Sequence, residues 1–259
     1  MTHLDTCELM NQYRLYERQS AHEVGYHRED LGNVIRYVSN AAHGSIISDF
    51  SFEPEFMEQE ITSQINFFKQ HNKSFEWKVY ETDLPKNIGH ALEHHGFIKG
   101  EPEAFMVLDL KQAPDALFEV PIGVIKVTNK QGVDDAILVQ EKVWNRNFSD
   151  HKRELINLVQ FDSNSMSLYV VYRDDLPVAS ARITFNSGSP FAGLWGGSTL
   201  PNYRNKGCYA DLLKIRAHEA RSKGIQYLTI DASKMSRPIV EKLGFQFVTY
   251  TTPYEYHPI

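Results

Sequence analysis

Leu200-Pro201-Asn202-Tyr203-Arg204-Asn205-Lys206-Gly207-Cys208-Tyr209-Ala210-Asp211-Leu212-Leu213 is the stretch on which the fold turns. Upstream of it, Phe191–Thr199 is an apolar run carrying glycines and reads as a strand. Downstream, apolar spacing from Gly207 to about Arg221 predicts an amphipathic helix, stopped by Lys223-Gly224. A basic, glycine-bearing turn that opens a helix leaves several amides without intrahelical acceptors at the positive end of the helix dipole. Such a turn is a seat for a phosphate or pyrophosphate.

Around this turn the chain alternates between strands and helices. Val124–Thr128 reads as a strand, and helical spacing follows through Trp144 and again over Asp150–Val159. Ser167–Tyr172 and Pro177–Phe185, joined by Arg173-Asp174-Asp175-Leu176, predict an antiparallel hairpin. After the turn helix come a strand (Gln226–Asp231), a helix (Ser236–Leu243) and a strand (Gln246–Tyr250). The first half offers helices over Leu4–Ser20, Pro54–His71 and Pro85–His94, with strands over Phe75–Tyr80 and Ala104–Leu110. A proline-bounded connector from Leu110 to Gly123 sets a boundary near residue 120. Leu92-Glu93-His94-His95-Gly96-Phe97 and Val240-Glu241-Lys242-Leu243-Gly244-Phe245 sit at matching places in the two halves, which suggests an internal duplication.

A net charge of −6 argues against nucleic acid as the main partner, which would need a basic face. No run of 18 apolar residues occurs, so no membrane span is expected. Met1–Asp5 lacks the basic start and apolar middle of a signal peptide. Two cysteines, Cys7 and Cys208, make no disulfide framework, and the expected location is the cytoplasm. Of the eleven histidines, His90, His94 and His95 cluster, yet no acidic or cysteine partner joins them at ligand spacing. A surface or packing role is expected, and no metal.

From about residue 124 onward, Pro201, Arg204, Gly207 and Ala210, followed by Leu243-Gly244-Phe245, resemble the GNAT superfamily of acyl-CoA-dependent N-acyltransferases. The family turn is Arg/Gln-x-x-Gly-x-Gly/Ala; here Tyr209 stands where a small residue is usual. The whole chain resembles the tandem-domain members, an α/β (α+β) architecture of two GNAT-like domains, each a mixed, mostly antiparallel twisted sheet flanked by helices. Residues 1–120 would be a degenerate copy, because nothing there matches the turn, and residues 121–259 the acyl-CoA-binding domain.

The resemblance implies an N-acetyltransferase moving an acetyl group from acetyl-CoA to a primary amine on a small molecule or peptide. The Gly197 N–H would polarise the thioester carbonyl. Ser198 and Thr199 would pair with the pantetheine arm, and Ser233 would contact it. The amides of Asn205, Lys206, Gly207, Cys208, Tyr209 and Ala210 would grip the pyrophosphate, with charge added by Arg204 and Lys206. Read alone, Gly196-Gly197 is a β-bulge or a weakened strand, and the turn that follows makes it a functional bulge; Cys208 points to a core position; and Tyr209 either covers the cofactor or packs beside Trp195. Ser236 suits a helix N-cap. Many family members carry a proton-donating tyrosine where this chain has Val240, which leaves Tyr203, Tyr209, Tyr250 and Tyr254 as unranked substitutes; Val240→Tyr is expected to leave activity unchanged or raise it. The alternative is a non-catalytic acyl-CoA-binding or sensor module. A module for another nucleotide would need a parallel βαβ unit before the turn, where an antiparallel hairpin is expected. Trp77, Phe67 and Phe68 would suit either the core or a substrate wall.

Overall fold

The computed structural model describes residues 5–21 and 25–258. The first half comprises α1 (Thr6–Tyr13), continued by a π turn over Arg14–Gln19, then β1 (Tyr26–Asp30), β2 (Val34–Ser39), β3 (Ser45–Phe50), α2 (Met57–Gln70), β4 (Phe75–Tyr80), α3 (Ile88–His94), β5 (Ile98–Lys99) and β6 (Glu103–Asp109). The second adds β7 (Val124–Lys126), α4 (Lys130–Trp144), α5 (Ser149–Phe161), β8 (Met166–Arg173), β9 (Leu176–Phe185), β10 (Phe191–Thr199), α6 (Cys208–Ser222), β11 (Tyr227–Ala232), α7 (Arg237–Lys242) and β12 (Gln246–Tyr256). The expected helix start at Leu4 lies outside the described residues.

The chain forms two compact units, each discontinuous in sequence. One gathers Met106–Ile230 and Met235–Gln246; the other holds the residues up to Phe105, Asp231–Lys234 and the residues from Phe247 onward.

In the first of these, the strands run in the order β6, β11, β10, β9, β8, β7. The β8–β9 hairpin is antiparallel, and Asp174 and Asp175 both take positive φ at its tip, the geometry of a tight turn that follows strand twist. α4 begins where the Asn129 side chain accepts the Gly132 N–H at 3.0 Å, and ends at Asn145 in the left-handed region. Its face of Val133, Ala136 and Ile137 packs on Leu168 and Val170 of β8 and on Leu155 of α5.

In the other unit the order is β1, β2, β3, β4, β12, with β5 also on β12. The sequence pattern predicts no strand before Phe75, and β1, β2 and β3 are the main departure from expectation. The reason lies in Arg36, which is buried in the middle of β2 and interrupts its apolar run. Its guanidinium stacks 3.2 Å from the Phe67 ring centroid and bonds Glu29 and, at 2.9 Å, Gln64. Trp77 and Phe68 are wholly buried among Ile61, Ile65 and Leu92, so their place is the core.

Both units use one construction. β3 and β4 pair in parallel over Ser45–Ile47 and Phe75–Trp77 with α2 crossing between them; β10 and β11 pair in parallel over Phe191–Gly193 and Tyr227–Thr229 with α6 between them. Each crossover is followed by a short helix with the same terminus. The Phe97 N–H bonds Leu92 O and the Phe245 N–H bonds Val240 O, both at 3.1 Å, while the Gly96 and Gly244 amides bond Glu93 O and Glu241 O. The segments entering the two crossover helices differ in charge. α6 follows Arg204 and Lys206, whereas α2 follows Glu53 and Glu55 and carries Glu58 and Glu60 in its first turn, which repels an anion.

Opposite its Trp77 face, β4 presents Lys78, paired with Asp231, near Glu76 and Glu103. Burial, reinforced by the charge of Asp231, pushes the Glu103 carboxyl up to about 7. An unfolded glutamate titrates near about 4.3. The stability attached to the protonated native form is therefore complete below that value and is lost as pH rises through about 7. Denaturation midpoints for Glu103→Gln should gain on wild type between pH 5 and pH 8; parallel curves would refute the assignment.

Candidate functional site

The site is built on β10. Its pairing with β11 stops at Gly193 and Thr229, although β10 continues to Thr199, so beyond that point its edge shares no ladder with β11. On the other edge, β10 pairs with β9 as Trp195↔Arg182 and then Ser198↔Ser180, which leaves Gly196 and Gly197 opposite Ala181 alone. This is a β-bulge, with Gly196 at φ +62°. Both glycines are exposed, in a strand whose residues Phe191–Leu194 are buried.

The turn that follows runs through a 3-10 turn at Pro201–Tyr203, Arg204 in extended geometry, Asn205 at φ +60° and Gly207 at φ +84°. The first helical bond of α6 runs from the Asp211 N–H to Gly207 O at 2.9 Å. Among the described residues, no acceptor takes the amides of Asn205, Lys206, Gly207, Cys208, Tyr209 or Ala210, and no side chain caps the helix. Arg204 Nε bonds Thr199 O at 3.3 Å, and Lys206 Nζ lies 5.3 Å from the Tyr203 ring centroid. Asn205, Lys206 and Gly207 are exposed, whereas Cys208 turns into the core as a free thiol.

Tyr209 leans toward the bulge. A Cβ built on Gly197 would lie 3.0 Å from its Cε2, so only glycine lets ring and strand approach this closely. Its hydroxyl meets the Ser236 side chain, and burial raises its pKa. Ser236 makes no cap to α7, contrary to expectation, and holds Tyr209 instead. Ser198 accepts from Trp144 Nε1 at 3.1 Å, and Thr199 Oγ1 is buried with no hydrogen-bond partner. The structure thus gathers Gly197, Ser198, Thr199, Arg204 and the amides to Ala210 along one strand–turn–helix. Ser233 follows β11 in the stretch Asp231–Lys234, which belongs to the other unit.

Val240 is fully buried, at 0% accessibility. A tyrosine there would overpack the core, so Val240→Tyr is expected to cost stability. The expected result is a loss of about 1–3 kcal/mol in unfolding free energy, read from urea denaturation. Full stability would show space that the structure lacks.

Sequence reasoning missed a polar cluster on the α4–α5 side of β9 and β10. Arg182 Nη1 lies 3.1 Å from His151 Nε2, and His151 Nδ1 lies 3.5 Å from Glu154 Oε2. Burial depresses the His151 pKa, and the Arg182 charge adds to this against Glu154. Gln140, 3% accessible, points its Nε2 toward Gly196 without an acceptor. Because these residues come from α4, α5 and β9, no local pattern reveals them. Elsewhere, the His95 ring bonds Ala91 O at 2.9 Å and approaches Glu58 at 3.2 Å. Among the described residues, no group of three His, Cys, Asp or Glu is placed to hold a metal. No helix among them is long and apolar enough to cross a membrane.

Residues 134–245 match the model of the "Acetyltransferase (GNAT) family". No curated protein matches the chain. Among solved structures, a GCN5-related N-acetyltransferase from Kribbella flavida superposes with a TM-score of 0.69 at 13% identity, covering 98% of this chain and 96% of its own. A conserved protein of unknown function from Staphylococcus epidermidis ATCC 12228 gives 0.66 at 12% identity, over 93% of this chain and 96% of its own. A tandem GNAT protein from the clavulanic acid biosynthesis pathway gives 0.53 at 12% identity, over 91% and 84%. At such identities these likenesses speak for the fold. Residues 134–245, which hold the strand, turn and helix described above, are similar to that family, and the chain shares the fold of these N-acetyltransferase structures.

Proposed function

We propose that the chain is an N-acetyltransferase that moves an acetyl group from acetyl-CoA to a primary amine, in the cytoplasm, with no metal. Residues 121–259 bind the acyl-CoA, and residues 1–120 are a degenerate copy. The observation that carries this reading is the run of amides from Asn205 to Ala210, unpaired and flanked by Arg204 and Lys206, beside the edge that β10 leaves open. A diphosphate would satisfy those donors. Arg204 and Lys206 would add charge, Ser198 and Thr199 would face the pantetheine arm, and Ser233 would contact it. The orphaned Thr199 Oγ1 suits an amide partner of this kind.

Chemically, the neutral amine attacks the thioester carbon, a C–N bond forms, and the C–S bond then breaks. The attacking nitrogen loses a proton to water, and the departing thiolate gains one. Gly197 is exposed in the bulge, and its N–H would donate to the carbonyl oxygen as it gains charge. Tyr209, whose ring packs against Gly197, would supply the proton for the thiolate, and its raised pKa keeps it protonated as that role requires.

A second reading, a non-catalytic acyl-CoA sensor, is favoured by Val240, a residue with no proton to donate where the resemblance places a tyrosine. Thiol release from acetyl-CoA, followed with a colorimetric thiol reagent across an amine panel, separates the two. Turnover with any amine supports the transferase. Tight acetyl-CoA binding without turnover supports the sensor.

A further inference from the structure

We propose that Arg182 and Gln140 form a subsite for a carboxylate, so that the acceptors of this chain are small amino carboxylates. The inference rests on the acyltransferase reading for its consequence, but the subsite stands on its own geometry.

Gly196 lacks a side chain where the bulge faces α4 and α5. A Cβ built there would lie 2.9 Å from Arg182 Nη1 and 3.5 Å from Gln140 Nε2. Two donors from different elements therefore converge on the exposed residue Gly196. Gln140 Nε2 is buried and has no acceptor, a costly state unless something supplies one. Neither a guanidinium nor an amide nitrogen can accept a hydrogen bond, so the missing partner must bring acceptor atoms. Beside an arginine, the fitting partner is an anionic oxygen pair.

The surroundings hold Arg182 in place and preserve its charge. With its pKa depressed, His151 is neutral, and Nε2 accepts from Arg182 Nη1. Glu154, on the far side of the ring, fixes the tautomer by accepting from Nδ1. His151 and Glu154 are positioning residues. The Arg182 carbonyl is itself held by Arg216 Nη1 at 3.1 Å, an anchor that side-chain substitution leaves untouched.

Distance restricts the ligand further. Gly196, which faces the donors, and Gly197, whose N–H would polarise the thioester, are consecutive, so their Cα atoms are about 3.8 Å apart. An acceptor with its carboxylate at the first and its amine near the second has only a few bonds between the two groups. Polyamines, with a second cation in place of the carboxylate, would meet Arg182 as a like charge.

The test is calorimetry on the full chain saturated with CoA, which cannot turn over, titrated with the twenty amino acids and with their C-terminal amides. At least one amino acid should bind about 10- to 100-fold more tightly than its amide, the range of one charged hydrogen bond. Arg182→Gln should abolish that preference, and Gln140→Met should reduce it several-fold. Circular dichroism and CoA affinity report whether each variant is folded. Equal binding of acid and amide to the wild-type protein, absence of binding by any amino acid, or a preference that survives Arg182→Gln would each overturn the subsite. Discrimination between acid and amide without thiol release from acetyl-CoA would leave the subsite standing and sink the acyltransferase. Thiol release at equal rates with amines that carry and lack a carboxylate would do the reverse.

Discussion

Gly207→Val is expected to weaken acetyl-CoA binding by about 10²- to 10⁴-fold while the protein stays folded. A Cβ at this position meets nothing within 4 Å, so no steric clash is involved. The effect comes from the backbone, because Gly207 sits at φ +84°, a region that a β-branched residue adopts only with strain. Relaxing that strain turns the peptide planes on either side, and with them the amides that point out of the turn. Loss of two charge-assisted hydrogen bonds to a diphosphate, at about 1.5–3 kcal/mol each, gives the stated range. Gly207→Asn should lie between the two, since asparagine tolerates the left-handed region better. Calorimetric titration with acetyl-CoA measures all three proteins. An unchanged dissociation constant for the valine variant would remove the turn from the binding site.

The second large effect concerns Gly197. Gly197→Pro deletes the amide hydrogen proposed to polarise the thioester, and a loss of about 10²–10³ in kcat is expected, the usual consequence of removing one such donor. Proline also adds a Cβ, which would press within 3.0 Å of the Tyr209 ring. Gly197→Ala adds the same atom and keeps the N–H, so the ratio of the two variants isolates the hydrogen bond. Single-turnover rates with acetyl-CoA bound are the appropriate measurement. If both variants slow the reaction equally, the crowding of Tyr209 matters and the amide does not.

How much of this was legible beforehand depends on how far apart in sequence the cooperating residues lie. The turn, β10 and α6 are contiguous, and their composition alone announces a strand, a basic glycine-bearing turn and a helix. The β8–β9 hairpin and the paired Gly-Phe termini are local as well, and both read correctly. β1 to β3 did not, because the charge of Arg36 hides a buried strand whose compensation comes from Phe67 and Gln64 on α2. Arg182, His151 and Gln140 are ordinary residues in their own segments and acquire meaning only where α4, α5 and β9 meet. Val240 is a related case. Matching its position to a motif shows which residue is absent, and only packing shows that the side chain faces the core.

The path of the last strand has a consequence for biosynthesis. Pairing between Phe75–Tyr80 and Thr251–Tyr256 joins one segment to another made much later. While the ribosome is still translating, the early segment waits with one row of backbone donors and acceptors unclaimed, a template for illicit strand addition by neighbouring nascent chains. Chaperone dependence during expression, and aggregation of any product shortened before residue 251, follow from that delay.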